Sequence, residues 1–354
     1  MPGTRDRFAT PALRATGSEV YAYTPYESII YAVMHNESES RRRVREMPID
    51  TARAGQRLDN FLLGQWPGVP RSHVYRVLRR GEVRVNGRRA KPAQRLEAGD
   101  RVRLPPVRIE PTDAPRRLPD ALRREVREAI LYEDARLLVL DKPSGLAVHG
   151  GSGLSFGAIE ALRAERPEQE LELVHRLDRD TSGCLVVAKR RAVLRSLHAL
   201  LREGAVEKKY LALVAGRWGF GRKTIEAPLA TNRRQGGERV VRVEAEGKES
   251  ASTFRPVAYF GRTATLVEVE IHTGRTHQIR VHAAFAGHPV AGDEKYGDAE
   301  FNRRMKEFGL KRLFLHAQSL AFDWPESGDH FAVNAPLPPE LVQVVDALEV
   351  AAQR

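Results

Sequence analysis

The sequence predicts an α+β protein with a mixed, largely antiparallel sheet, preceded by a small basic domain. Three observations lead there. The chain has 354 residues, enough for two domains with buried cores of their own. Beyond residue 130, short apolar runs of strand type outnumber clear helical patterns and do not alternate with them regularly, which disfavours parallel βαβ winding. The positive charge is also uneven: of a formal net charge of +12, residues 47 to 106 hold 13 basic against 5 acidic side chains, a net of +8.

Composition excludes several classes. With 42% hydrophobic and 29% charged residues, the chain has the balance of a globular protein, and no apolar run approaches the roughly 18 residues of a membrane helix. The single cysteine, Cys184, permits neither an internal disulfide nor a Cys-rich zinc site, and fits a reducing cytoplasm. The opening MPGTRDRF lacks the apolar stretch of a secretory signal.

Residues 1 to 46 show no sustained period, and Glu37 to Glu46 is almost wholly charged or polar, so this extension is expected to be disordered. In the next segment, 47–106, Leu58, Phe61, Leu62 and Trp66 fall at helical spacing, and Val74, Val77 and Leu78 repeat the pattern after Pro70. Val83 and Val85 then alternate with polar residues up to Asn86-Gly87, a tight hairpin signal, and Val102 and Leu104 mark a further strand. Arginines 71, 76, 79, 80, 84, 88 and 89 cluster on this helix, helix, hairpin unit. Such a cluster suits a polyanion, because neutralising phosphates releases condensed counterions.

Five prolines between 105 and 119 make residues 107–119 a semi-extended linker. In the remaining segment, 120–354, strands are expected over 130–143, 184–189, 210–216, 239–245, 263–272 and 314–322, and helices over 191–203, 277–287 and near the C-terminus.

The segment HRLDRDTSG, residues 175–183, sets Asp178 between Arg176 and Arg179 ahead of an apolar strand. Neighbouring guanidinium groups favour the charged form of an acid, and an ionised carboxylate can act as nucleophile or general base. On these letters alone, Asp178 and Asp180 could equally form turn hydrogen bonds.

Two resemblances go further. GQRLDNFLL, VPRSHVYRVLRRGEVRVNG and LEAGDRVRLPP resemble the alpha-L, or S-four type, RNA-binding domain, which implies that the arginine-rich face sits on structured RNA. HRLDRDTSG, LDKPSGLAVHGG (140–151), KKYLALVAG (208–216) and IHTGRTHQIRVHAAFAGHPVAGDEKYG (271–297) resemble, in order, the motifs of the RluA-type RNA pseudouridine synthases. That resemblance implies a synthase-type catalytic domain with Asp178 as the catalytic residue, Arg280 as its ion-pair partner and Tyr210 as the active-site tyrosine. It also implies Arg176 in the gap left by a flipped uridine, with His175, Thr181, Arg275 and Ile279 around the substrate.

The implied substrate is large-subunit (23S) ribosomal RNA, before or during subunit assembly, with no obligate protein partner and no membrane association. No cofactor and no metal are expected, because the isomerisation conserves atoms and redox state. The rival readings are a noncatalytic rRNA-binding or assembly protein, and the same chemistry on tRNA. Weaker signals are a G-x-S-x-G match at Ser155 next to His149-Gly150-Gly151, and four histidines at 272, 277, 282 and 288; hydrolase and zinc readings are disfavoured. Lys208, Lys209, Arg217, Arg233, Arg234 and Arg239 are further candidates for RNA-backbone contact, and Lys295-Tyr296-Gly297 reads as a turn.

Overall fold

The computed structural model describes residues 44–66, 69, 71–106, 118–150, 156–233 and 239–353. The chain divides into two compact units, 1–114 and 115–354.

In the first unit, β1 (Arg45–Pro48) is followed by α1 (Leu58–Gln65), α2 (Arg71–Arg80), β2 (Arg84–Val85), β3 (Arg88–Arg89) and β4 (Arg101–Leu104). The strands form an antiparallel sheet in the order β1-β4-β2-β3. Every apolar residue singled out in the sequence of this unit, from Leu58 to Leu104, is buried in one core. Asn86 and Gly87 take φ of +50° and +75°, the left-handed pair that a two-residue hairpin requires. The buried Asp59 ties the helices together, accepting from Arg57 on its own helix boundary and from the Tyr75 hydroxyl of α2 at 2.9 Å. β1 corrects the expected boundary at 47, because Arg45 and Glu46 already pair with β4. The rest of the extension expected to be disordered, up to residue 43, lies outside the described residues, as does the expected linker up to 117.

The second unit runs α3 (Asp120–Glu128), β5 (Ile130–Glu133), β6 (Leu137–Lys142), α4 (Ala158–Glu165), β7 (Glu172–Leu173), β8 (Ser182–Ala188), α5 (Arg191–Glu203), β9 (Glu207–Ala215) and β10 (Lys223–Glu226). It continues with β11 (Leu229–Arg233), β12 (Arg239–Val243), β13 (Ala251–Phe260), β14 (Ala264–Ile271), α6 (Gln278–Phe285), α7 (Ala299–Glu307), β15 (Leu315–Asp323), β16 (His330–Asn334) and α8 (Pro339–Ala352). The main sheet has the order β10-β13-β14-β9-β15-β8-β6-β5, with β16 on β15 and β7 on β8; β11 and β12 pair separately. Among the described pairings only β8–β15 is parallel, so the sheet is mixed and largely antiparallel.

That parallel pairing rests on Gly183. Its φ is +105°, and a Cβ there would stand 2.2 Å from the carbonyl oxygen of Ala317. Only glycine allows both the backbone conformation and the close approach. The expected strand over 130–143 is a hairpin, broken where Asp134 Oδ1 accepts from the backbone N–H groups of Arg136 and Leu137. Three helices, α3, α4 and α7, were not expected. α3 and α7 bury only one and two side chains respectively, too few to produce a legible stripe.

Candidate active site

The segment between β7 and β8 carries Asp178 and is held from both sides. On one side, His175 Nε2 accepts from the backbone N–H of Val186 in β8 at 3.1 Å. Burial pushes this imidazole down to about 4, so the ring is a neutral acceptor. On the other side stands the Lys142 ammonium at the end of β6, which is fully buried. It donates to the carbonyl oxygens of Pro143, Leu146 and Arg179 at 2.8, 2.9 and 2.9 Å, so the LDKPSG loop and the Asp178 loop share one clamp. Ser144 Oγ adds a bond to the Asp180 carbonyl. Asp178 is thereby presented by a loop with little freedom, one residue beyond the buried Leu177.

Across from it, α6 begins with Gln278, whose Oε1 accepts from Thr273 Oγ1 and from the backbone N–H of Arg275, while its Nε2 donates to Ala251 O and Ser252 Oγ. This anchors the turn that sends Arg280 inward. Arg280 gives two nitrogens to Asp293, Nε to Oδ2 and Nη2 to Oδ1, both at 2.7 Å. Its remaining Nη1 is 3.8 Å from Asp178 Oδ2. The expected Asp178–Arg280 pair is therefore present as a longer contact, and the bidentate partner of Arg280 is Asp293.

Asp293 is wholly buried and also accepts from the backbone N–H groups of Lys295 and Tyr296. Burial alone would raise its carboxyl, but the Arg280 fork and these bonds outweigh it and hold the group below the usual aspartate range. The same Asp178 oxygen lies 3.9 Å from His277 Nε2. Tyr296, read from the sequence as part of a turn, hydrogen-bonds His277 Nδ1 at 2.7 Å and has the Arg280 guanidinium over its ring at 5.1 Å.

Of these groups, Asp178, His277, Gln278 and Arg280 line a cleft of about 540 Å³. All eight expected site residues of this unit, Asp178, Tyr210, Arg280, Arg176, His175, Thr181, Arg275 and Ile279, lie on its wall. Arg176 and Arg275 are exposed, Asp178 is partly exposed, and Tyr210, Thr181 and Ile279 are buried. Burial, reinforced by the nearby Asp178 charge, raises the Tyr210 hydroxyl above the ordinary phenol range, so it stays protonated. Because Nε2 of His175 is taken up by Val186, that ring acts on the loop more than on a ligand.

Lys208, two residues before Tyr210 on β9, is also a buried wall residue and not a solvated one. Arg217 stacks on Tyr259 at 4.3 Å; the side chains of Arg233 and Arg239, and all of Arg234, lie outside the described residues. Sequence reading passed over Lys142, Asp293, His277 and Tyr296 as site residues. The GDEKYG text held the signal for Asp293 and Tyr296, but only the fold shows what they face.

In the first unit, Arg76, Arg79, Arg80, Arg84, Arg88 and Arg89 are exposed; the Arg71 side chain lies outside the described residues. Arg84 stands directly opposite Arg89 on β3 and Arg103 on β4. Like charges in cross-strand register oppose folding, an arrangement that suits a polyanion-binding surface. Arg103 was not among the expected contacts because register cannot be read from the letters.

His282 is buried, bonded to Ala227 O and near Ser250 and Ser252; His288 bonds Ala215 O and His272 bonds Thr253. Among the described residues no group of three or more His, Cys, Asp or Glu side chains could hold a metal ion. Ser155 lies outside the described residues. Cys184 is a buried residue of β8 whose thiol burial pushes up to about 12. Among the described residues no helix is long and apolar enough to cross a membrane.

Comparison with known proteins shows the family to which the chain is similar. The sequence pattern of the RNA pseudouridylate synthase family matches residues 136–285, and that of the S4 domain matches 56–102. The chain is 53% identical over 315 residues to the Ribosomal large subunit pseudouridine synthase C of Pasteurella multocida (strain Pm70), covering 88% of this chain and 96% of that one. It is 53% identical over 312 residues to the protein of the same name from Escherichia coli (strain K12), covering 87% and 98% respectively. The structure of Human RNA Pseudouridylate Synthase Domain Containing 4 matches with a TM-score of 0.54 at 25% identity, over 65% of this chain and 96% of that one. With its motif residues gathered in one cleft and this similarity along nearly the whole length of its relatives, the chain belongs to the RluA-type family of RNA pseudouridine synthases, which are isomerases.

Proposed function

We propose that this enzyme isomerises specific uridines of 23S ribosomal RNA to pseudouridine, with Asp178 as the catalytic carboxylate. The observation that carries the reading is that Asp178, on the wall of the cleft, has its Oδ2 3.8 Å from Arg280 Nη1 and 3.9 Å from His277 Nε2. The reaction breaks the N1–C1′ bond, turns the uracil, joins C5 to C1′ and moves the C5 proton to solvent while N1 gains one. No atom or electron is supplied from outside. The carboxylate acts at the ribose, by attack on C1′ or by taking the proton at C2′.

A base inside a stack cannot reach this group, so the uridine must be flipped out. Arg176, exposed on the cleft wall two residues before Asp178, suits the vacated stack; Tyr210 and Ile279 suit the faces of the uracil, and Arg275 suits a phosphate. The arginines of the first unit supply sequence-independent affinity. The large-subunit rRNA substrate is supported by the names of the relatives that are 53% identical. It carries with it a cytoplasmic location and action on rRNA before or during subunit assembly.

The test uses 23S rRNA transcribed with 5-tritiated uridine. Tritium should be released by the enzyme, and pseudouridines lost from the 23S rRNA of cells lacking it. Release from tRNA alone would move the substrate assignment, and no release from any RNA would return the protein to a binding role.

A further inference from the structure

His277 lies at the boundary of α6 with φ +54° and ψ +21°, left-handed backbone that a non-glycine residue seldom adopts. Among the described residues only Asn86, in its hairpin turn, shares a positive φ without being glycine. The conformation sets the imidazole edge-on against Tyr296, with ring centroids 5.4 Å apart and Nδ1 2.7 Å from the hydroxyl.

The neighbours favour one proton position on the ring. Tyr296 Oη accepts from the backbone N–H of Val241 at 3.0 Å, which leaves its single hydrogen to donate. Donated to His277 Nδ1, it requires that nitrogen to be unprotonated, and a neutral imidazole then carries its proton on Nε2. The other end of the ring agrees. Nε2 faces Asp178 Oδ2 at 3.9 Å, where a lone pair would repel the carboxylate and an N–H attracts it. Catalytic hydrogen bonds are commonly long before substrate arrives and tighten in the reacting complex.

Given the function proposed above, we propose that His277 is a positioning residue for the isomerisation: a neutral Nε2–H donor, locked in that tautomer by the Val241–Tyr296 chain, which with Arg280 holds Asp178 Oδ2 from two sides and leaves Oδ1 to the ribose. A neutral donor directs the carboxylate without adding a second full positive charge that would quench its reactivity. The charged groups around the ring are Asp178 and Asp293, which favour imidazolium, and Arg280 and Lys295, which oppose it. Burial is the largest influence and keeps the ring below the ordinary histidine range, hence neutral.

Two measurements on the full-length protein test this. The first is the 15N spectrum of histidine-labelled wild type near neutral pH, with His277 assigned by its absence in His277→Asn. The Nε2-protonated pattern is expected, giving way to a tautomer mixture in Tyr296→Phe. A wild-type ring protonated on Nδ1 would overturn the proposal.

The second is tritium release by three variants. Gly and Asn accept left-handed backbone at least as well as His, whereas Gln accepts it less well but extends an amide N–H toward Asp178. If the donor matters, kcat falls by about tenfold or more in His277→Gly and His277→Asn, and less in His277→Gln, with KM for RNA within about twofold. If His277 serves only the backbone, Gly and Asn keep the wild-type kcat, and the proposal fails. The wild-type spectrum, with His277 assigned by its absence in whichever of the three variants folds, decides even where the other variants do not fold. Wild-type protein inactive on every RNA would remove the function and this role together; active protein with the wrong tautomer removes this role alone.

Discussion

Arg280 and Asp293 form a buried, two-point ion pair, with both N–O distances at 2.7 Å, and Asp178 receives only the nitrogen left over. The guanidinium is thus fixed in the plane of one carboxylate so that its third corner points at another. A planar fork allows this division; a lysine ammonium, compact and flexible, does not. The arrangement separates holding the cation from using it.

Replacing Arg280 with methionine is expected to cost stability as well as rate, because it leaves Asp293 buried without its counter-charge, a loss of about 3 to 5 kcal/mol for a pair of this kind. The pH dependence follows from Asp293. Its carboxyl is depressed in the folded protein, so its stabilisation is full above the unfolded aspartate range and is lost as pH falls through the lower folded value. The stability gap between wild type and Arg280→Met in urea unfolding should therefore be widest above about pH 5 and shrink in acid. A gap independent of pH would mean that the pair does not hold Asp293 ionised. Arg280→Lys should fall between the two.

Asp178→Asn keeps the shape of the side chain and removes its charge. Tritium release should drop by about a thousandfold or more while RNA affinity stays within a few-fold of wild type. Turnover within tenfold of the parent protein would exclude a catalytic role for this carboxylate.

Among the described residues, Lys142 is the one side chain that bonds the backbone of both the LDKPSG loop and the Asp178 loop. Lys142→Met preserves most of the volume but strands the Pro143 and Leu146 carbonyls; Arg179 O keeps its bond from the Gly145 N–H. About 2 to 4 kcal/mol of stability should be lost, since an acceptor left unpaired costs about 1 to 3 when fully buried and these two are only part-buried. Loosening the Asp178 loop should lower kcat more than it raises KM for RNA. Equal stability and kcat in the variant would show that the loops hold each other without the ammonium.

Signals between near neighbours are legible in the letters. The Asn86-Gly87 turn, the apolar stripes of α1 and α2 and the strand β8 all rest on short-range spacing. Motif text brought Asp178, Tyr210 and Arg280 to one site because it summarises a whole fold. What escaped depends on contacts between distant segments. Asp293 lies 13 residues beyond Arg280, and Lys142 reaches Arg179 across 37 positions. β1 was hidden because its four residues, REMP, alternate weakly and owe their strand form to pairing with β4. Arg103 became visible as a partner of Arg84 only through register.

That register yields the last expectation. Arg84 is flanked across the strands by Arg89 and Arg103, and each guanidinium also donates to a backbone carbonyl: Arg84 to Gly87, Arg89 to Arg80 and Arg103 to Glu82. Repulsion along the row and these bonds oppose each other, so replacing all three with glutamine should change stability by no more than about 1 kcal/mol. RNA binding should respond far more. If each arginine neutralises one phosphate, the slope of log affinity against log salt should flatten by about 2 to 3 in the triple variant. Affinity should fall almost uniformly across RNA sequences, because phosphate contacts position without specifying. Titration of 23S rRNA fragments over a range of potassium chloride concentrations measures this, with the melting temperature as control. An unchanged slope in a folded triple variant would mean that this row of arginines faces away from the RNA.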